Sequence, residues 1–168
     1  MLDFVKLFNK YALQSLLGAG LVFGSCEVFS SQLPDIQVYS LKGRRIQALH
    51  DVVGKGRLTL ATFFKQSCIP CMRQLREYQC LREKNPGIDI LALSLDPKAK
   101  SKRYFQRFRP DFDIVLVSNS SLSHFGQIPG TPYSLVIGRD GDIRERIFGY
   151  LSCEQMNQLL LLSPTVGK

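Results

Sequence analysis

Residues 58–75 read LTLATFFKQSCIPCMRQL, and the change of pattern inside that stretch decides the fold. Its first seven residues are apolar or β-branched, as in a strand covered on both faces. Cys68 and Cys71 follow in a C-x-x-C spacing. Beyond them Met72, Leu75, Tyr78 and Leu81 recur every third residue, with Arg73, Arg76, Glu77, Arg82 and Glu83 between. That is the pattern of an amphipathic helix running to about Lys84, stopped by Asn85-Pro86-Gly87. A thiol where a buried strand meets a helix faces unpaired amide N–H groups and the positive end of the helix dipole, both of which favour a thiolate. Cys68 is therefore the candidate nucleophile for disulfide exchange and Cys71, one turn inside, the candidate resolving thiol. Lys65, three residues upstream, is a candidate for tuning Cys68 further.

Outward from this stretch the chain alternates. IQVYSL (36–41) and RRIQAL (44–49) flank Lys42-Gly43 and read as an N-terminal β-hairpin. IDILALSL (88–95) is a second buried strand, and Asp96-Pro97 opens a helix from about Lys98 to Phe108. DIVLV (113–117) is a third strand, followed by a helical turn over 121–125. YSLVIG (133–138) and DIRERIFG (142–149) pair across Asp140-Gly141, a hairpin dipeptide. Ser152 with Gln155 three residues later is a capping box for a last helix through Leu162. The order β-β, β-α-β-α-β, β-β-α predicts an α/β fold, with a mixed central sheet, right-handed crossovers and flanking helices.

The 168 residues suffice for one domain, spanning about 33–162, which is expected to be monomeric. The formal net charge is +8, with a dense basic stretch KAKSKRYFQRFR from Lys98 to Arg109. Isolated basic helices are usually solvated faces, so no nucleic-acid partner is expected; anionic lipid or an acidic partner is the better use of the charge. Residues 1–26 differ in kind. Lys6 and Lys10 precede an apolar run over 11–23 and small residues at Gly24, Ser25 and Cys26. This reads as a secretory signal, alternatively as a retained anchor, and FGSC admits lipidation at Cys26. Each version exports the chain to a periplasmic location, soluble or membrane-tethered. Four cysteines then remain where disulfides persist. Cys80 and Cys153 are read as small buried hydrophobes in preference to a crosslink. Zinc lacks a second ligand pair; copper held by Cys68, Cys71 and His124, as in a metallochaperone, is the alternative from another class. Redox exchange needs no cofactor beyond the dithiol, and no metal.

The strand, CIPC, helix, the GTP at 130–132 and the hairpin around RDGDI together resemble thioredoxin-fold proteins, in particular the exported TlpA/ResA group of thiol–disulfide oxidoreductases. The resemblance covers roughly 33–162. It implies that Thr131–Pro132 is a cis bond beside Cys68 and that this loop receives the substrate. It also implies protein thiol or disulfide substrates, a membrane or periplasmic redox partner, and action as a reductant, for example in cytochrome c maturation. Three positions depart from the family. Ser67 stands where a Trp is usual, Gln74 where an acidic residue is frequent, and Thr62 where thioredoxins keep a buried Asp.

Overall fold

The computed structural model describes residues 32–53 and 56–162. The leader over 1–26 and its signal, anchor and lipidation readings lie outside the described residues. Among the described residues no helix is long and apolar enough to cross a membrane.

Seven strands form one sheet in the order β2-β1-β5-β4-β3-β6-β7. Inside it, next to the middle strand, lies β3 (Thr59–Phe64), all six residues of which are buried. It pairs in parallel with β4 (Asp89–Ser94) and antiparallel with β6 (Tyr133–Ile137). A strand covered on two edges and two faces has no place for alternating polar residues, which explains its continuous apolar run. β5 (Asp113–Leu116) extends the parallel set. The hairpin β1 (Gln37–Ser40) and β2 (Arg45–Ala48) covers the β5 edge antiparallel, and β7 (Ile143–Phe148) closes the other side.

α1 (Ile69–Lys84) and α2 (Lys98–Phe108) both lie on one face, because two right-handed crossovers that step in the same direction deposit their helices on the same side. α4 (Cys153–Leu162) packs beside α1 there. Leu60 and Phe64 point into this layer, against Leu75, Tyr78, Leu81 and Met156. Ala61 and Phe63 point the other way, toward α3 (Asn119–Leu122) and the 3-10 turn Ser123–Phe125. Phe63 and Phe125 meet edge to face there, 4.9 Å apart. Each such fully buried Leu or Phe contributes about 1.5–3 kcal/mol. The expected helices on both faces are thus unequal: three long ones on one side, short turns on the other.

One expectation is corrected. Cys80 and Cys153 are not free thiols but a disulfide, with Cα atoms 6.1 Å apart. The physical reason is the shared face: the second half of α1 runs past the first residue of α4, and packing brings the two cysteines within bonding reach. The same seam carries Lys84–Glu154 at 2.9 Å and Asn85 Nδ2 donating to Asn157 Oδ1 at 2.9 Å. The capping box forms as expected: Gln155 N–H donates to Ser152 Oγ (3.3 Å) and Ser152 N–H to Gln155 Oε1 (2.9 Å).

Candidate redox-active site

β3 delivers the chain to the top of the sheet at Phe64, and residues 65–67 turn it into α1. Asp96, at the matching end of β4, holds that turn by accepting the Gln66 N–H at 2.6 Å while pairing with Lys100 at 2.8 Å. Cys68 is the N-cap of α1, in extended conformation. Its own N–H donates to the Lys65 carbonyl (3.1 Å), and its Sγ accepts the Cys71 N–H (3.2 Å). A sulfur thus occupies the place where a Ser or Asp oxygen usually caps a helix. Pro70 falls in the first turn, where a missing N–H costs nothing.

Cys68 and Cys71 are joined as a disulfide, Cα atoms 5.2 Å apart. Cys68 is half-buried and Cys71 fully enclosed, at 0% exposure. The Thr131–Pro132 bond is cis, and the Thr131 carbonyl oxygen lies 3.3 Å from Cys68 Sγ. Pro132 is buried, and its carbonyl accepts the Gly149 N–H at 3.0 Å, which ties the loop to the end of β7. Around this opening stand large apolar side chains left in solvent: Ile69 is 69% exposed and Phe148 62%. A Cβ on Gly130 would fall 2.9 Å from the Phe148 ring, so glycine lets the edge of that ring approach the loop closely.

The other named residues sort as follows. Lys65 meets Cys68 through its backbone carbonyl, and its side chain is exposed. His124 is not brought to the dithiol. It lines a cavity with His50, Asp35, Asp140 and Asp142, beside the β6–β7 turn at the opposite end of the sheet. Among the described residues no group of three or more His, Cys, Asp or Glu could hold a metal. The copper reading through Cys68, Cys71 and His124 is therefore corrected by topology: β6 carries the chain from the dithiol end at Tyr133 to the turn His124 faces.

Two of the three positions that depart from the family, Thr62 and Gln74, meet in one place. Thr62 Oγ1 and Ser134 Oγ are 2.8 Å apart, and Gln74 Nε2 donates to Ser134 Oγ (3.0 Å) and to Tyr78 OH (3.2 Å). The Tyr78 hydroxyl donates to Thr62 Oγ1, and Gln74 Oε1 accepts the Leu151 N–H at 3.3 Å. All four side chains are fully enclosed. Neutral groups satisfying one another replace carboxylates one turn behind Cys71, and burial pushes the Tyr78 phenol up to about 12. Sequence reasoning missed Ser134 and the polar role of Tyr78. The signal was present: a lone Ser inside the buried run YSLVIG needs a hydrogen-bond partner.

No protein-family model matches the chain. The thiol–disulfide oxidoreductase ResA of Bacillus cereus is 26% identical over 132 residues, 77% of this chain and 75% of that relative. Among solved structures, a thiol:disulfide interchange protein of the thioredoxin family from Chlorobium tepidum superposes with TM-score 0.66 and 16% identity, over 80% of this chain and 96% of that one. StoA of Bacillus subtilis does so with TM-score 0.61 and 19% identity, over 76% and 97%. Fold, dithiol setting and relatives converge: the chain has the thioredoxin-like fold and is a thiol–disulfide oxidoreductase, similar to ResA.

Proposed function

We propose that the chain is an exported reductant of protein disulfides and that Cys68 and Cys71 carry the exchange. The observation that supports this above all is the position of Cys68 Sγ, which receives the Cys71 N–H and lies 3.3 Å from the carbonyl of the cis Thr131–Pro132 bond. In the reduced protein that N–H and the start of α1 favour a Cys68 thiolate. The thiolate attacks one sulfur of a partner disulfide; the other sulfur leaves with the bonding pair and takes a proton. Cys71, deprotonated in turn, attacks Cys68 Sγ and releases the partner's second thiol. The partner has gained two electrons and two protons, and Cys68–Cys71 is the disulfide described above. A second dithiol protein, at the membrane or in the periplasm, must then restore the pair. Thr131 and Pro132 offer backbone to the substrate strand, while Ile69 and Phe148 offer apolar surface on either side. Export is supported by the Cys80–Cys153 crosslink, which persists in oxidising compartments. Substrates are cysteine pairs of other exported proteins, apocytochrome c among them.

Insulin reduction tests the reading. Cys68→Ser abolishes turnover, and Cys71→Ser leaves a mixed disulfide that a reducing gel resolves. Turnover retained by Cys68→Ser would remove the reading.

A further inference from the structure

Only two non-glycine residues among those described have positive φ, Arg44 (54°) and Arg109 (43°). Both positions suit glycine. Arg44 closes the turn between β1 and β2, and Arg109 follows the last residue of α2, where helices most often place glycine. A side chain there is disfavoured by its own Cβ, so local backbone preference does not account for these two arginines. They meet in one cavity of about 790 Å³. Lys102 is the third cation on its wall, Tyr39, Leu41 and Phe105 are its apolar surface, and no carboxylate lines it. No ion pair engages any of the three cations among the described residues. The helix dipole accounts for a cation at the end of α2, but not for Lys102 in its middle or for Arg44 on another element.

The cavity is held in shape from outside. Asp113 accepts the Ser40 hydroxyl (2.5 Å) and the Lys42 N–H (3.0 Å), which pins the turn bearing Arg44. The Arg109 N–H donates to the Phe105 carbonyl at 2.9 Å. Lys98 Nζ sits 3.6 Å above the Tyr39 ring and fixes it. Two guanidinium forks and an ammonium over an apolar floor suit a phosphate oxyanion joined to an apolar body.

Position then selects the source. The β1–β2 turn lies where β5 begins, and β5 runs parallel to β3, so the cavity is at the sheet end opposite the dithiol. Gln32 bridges Asp142 in the β6–β7 turn at that same end. The described chain therefore begins, at Gln32, at the same end of the sheet as the cavity. We propose that the cavity takes the phosphate headgroup of an anionic lipid, so that this end of the sheet rests on the membrane surface with the dithiol turned away. The docking is independent of the redox chemistry at the other end.

Hydrogen–deuterium exchange on the full chain, bound to phosphatidylcholine vesicles with or without phosphatidylglycerol, tests it. The leader is common to both samples. Amides 41–44 and 105–109 exchange severalfold more slowly only with phosphatidylglycerol. Arg44→Gly/Arg109→Gly loses that protection, keeps insulin reduction in solution, and has a lipid-free melting temperature no lower than the parent, because glycine accepts the left-handed conformation. Lys102→Gln, mid-helix and exposed, weakens the same protection without touching the backbone. Equal protection on both vesicles, or protection retained by the double variant, overturns the proposal. Equal protection by soluble glycerol phosphate without vesicles also overturns it, in favour of a dissolved anion.

Discussion

At Gln74 one side chain closes three hydrogen bonds, to Ser134, Tyr78 and the Leu151 amide, and so joins α1, β6 and the approach to α4. Gln74→Leu keeps the volume but strands buried donors and acceptors, at about 1–3 kcal/mol for each group left unpaired. Urea unfolding is expected to show a loss of about 2 kcal/mol or more; an unchanged midpoint contradicts the network. Tyr78 supplies a pH signature. Its folded phenol stands at about 12 against an ordinary 10, so the folded form holds the proton where the unfolded chain has released it. The contribution is intact below pH 10 and drains away between about pH 10 and 12, by roughly 2–3 kcal/mol for two pH units. Tyr78→Phe flattens that alkaline limb. Its stability, measured by denaturant at successive pH values, falls less steeply than the parent's, whatever its value at neutrality.

The elements were legible to within about a residue wherever a local signal set them. Periodicity and caps bounded α1 and α2, the capping box at Ser152–Gln155 began α4, and apolar runs marked β3, β4 and β6. The place of the C-x-x-C pair at a helix start was readable because helix start and dithiol lie within a few residues. The failures concern residues that are distant in the chain. Cys80 and Cys153 are 73 residues apart, and only the choice of one sheet face for both α1 and α4 brings them together. His124 was separated from the dithiol by the same kind of fact, the direction of β6. Closing a loop of that length stabilises the fold by about 4 kcal/mol on the chain-entropy estimate. Cys80→Ala/Cys153→Ala is thus expected to unfold at markedly lower denaturant while reducing insulin at close to the parent rate, since the crosslink lies well past the reactive turn of α1. A double variant as stable as the parent would show that α1–α4 packing alone carries the seam.

Over the whole molecule, the excess of 22 basic over 14 acidic residues sets a positive field that includes the dithiol's surroundings. Lys65, Arg73 and Arg76 are exposed on the turn before α1 and along its outer side. Of the nearby carboxylates, Asp96 is paired with Lys100 (2.8 Å), and Glu77 is engaged by the Tyr150 hydroxyl (3.0 Å) and the Cys153 amide (3.1 Å). Negatively charged disulfides are therefore drawn to Cys68 and positively charged ones repelled, before any specific contact forms. Reduced protein should react faster with glutathione disulfide than with cystamine, by roughly threefold to tenfold at low ionic strength once intrinsic reactivity is divided out. Exposed charges are screened within about 3 Å at 1 M salt, so the two rates should converge there. Lys65→Glu/Arg73→Glu, read by stopped flow, narrows or inverts the preference at low salt and leaves the high-salt rates alone. A preference that ignores both salt and these substitutions would mean that contacts at the cis-proline loop, and not the field, choose the partner.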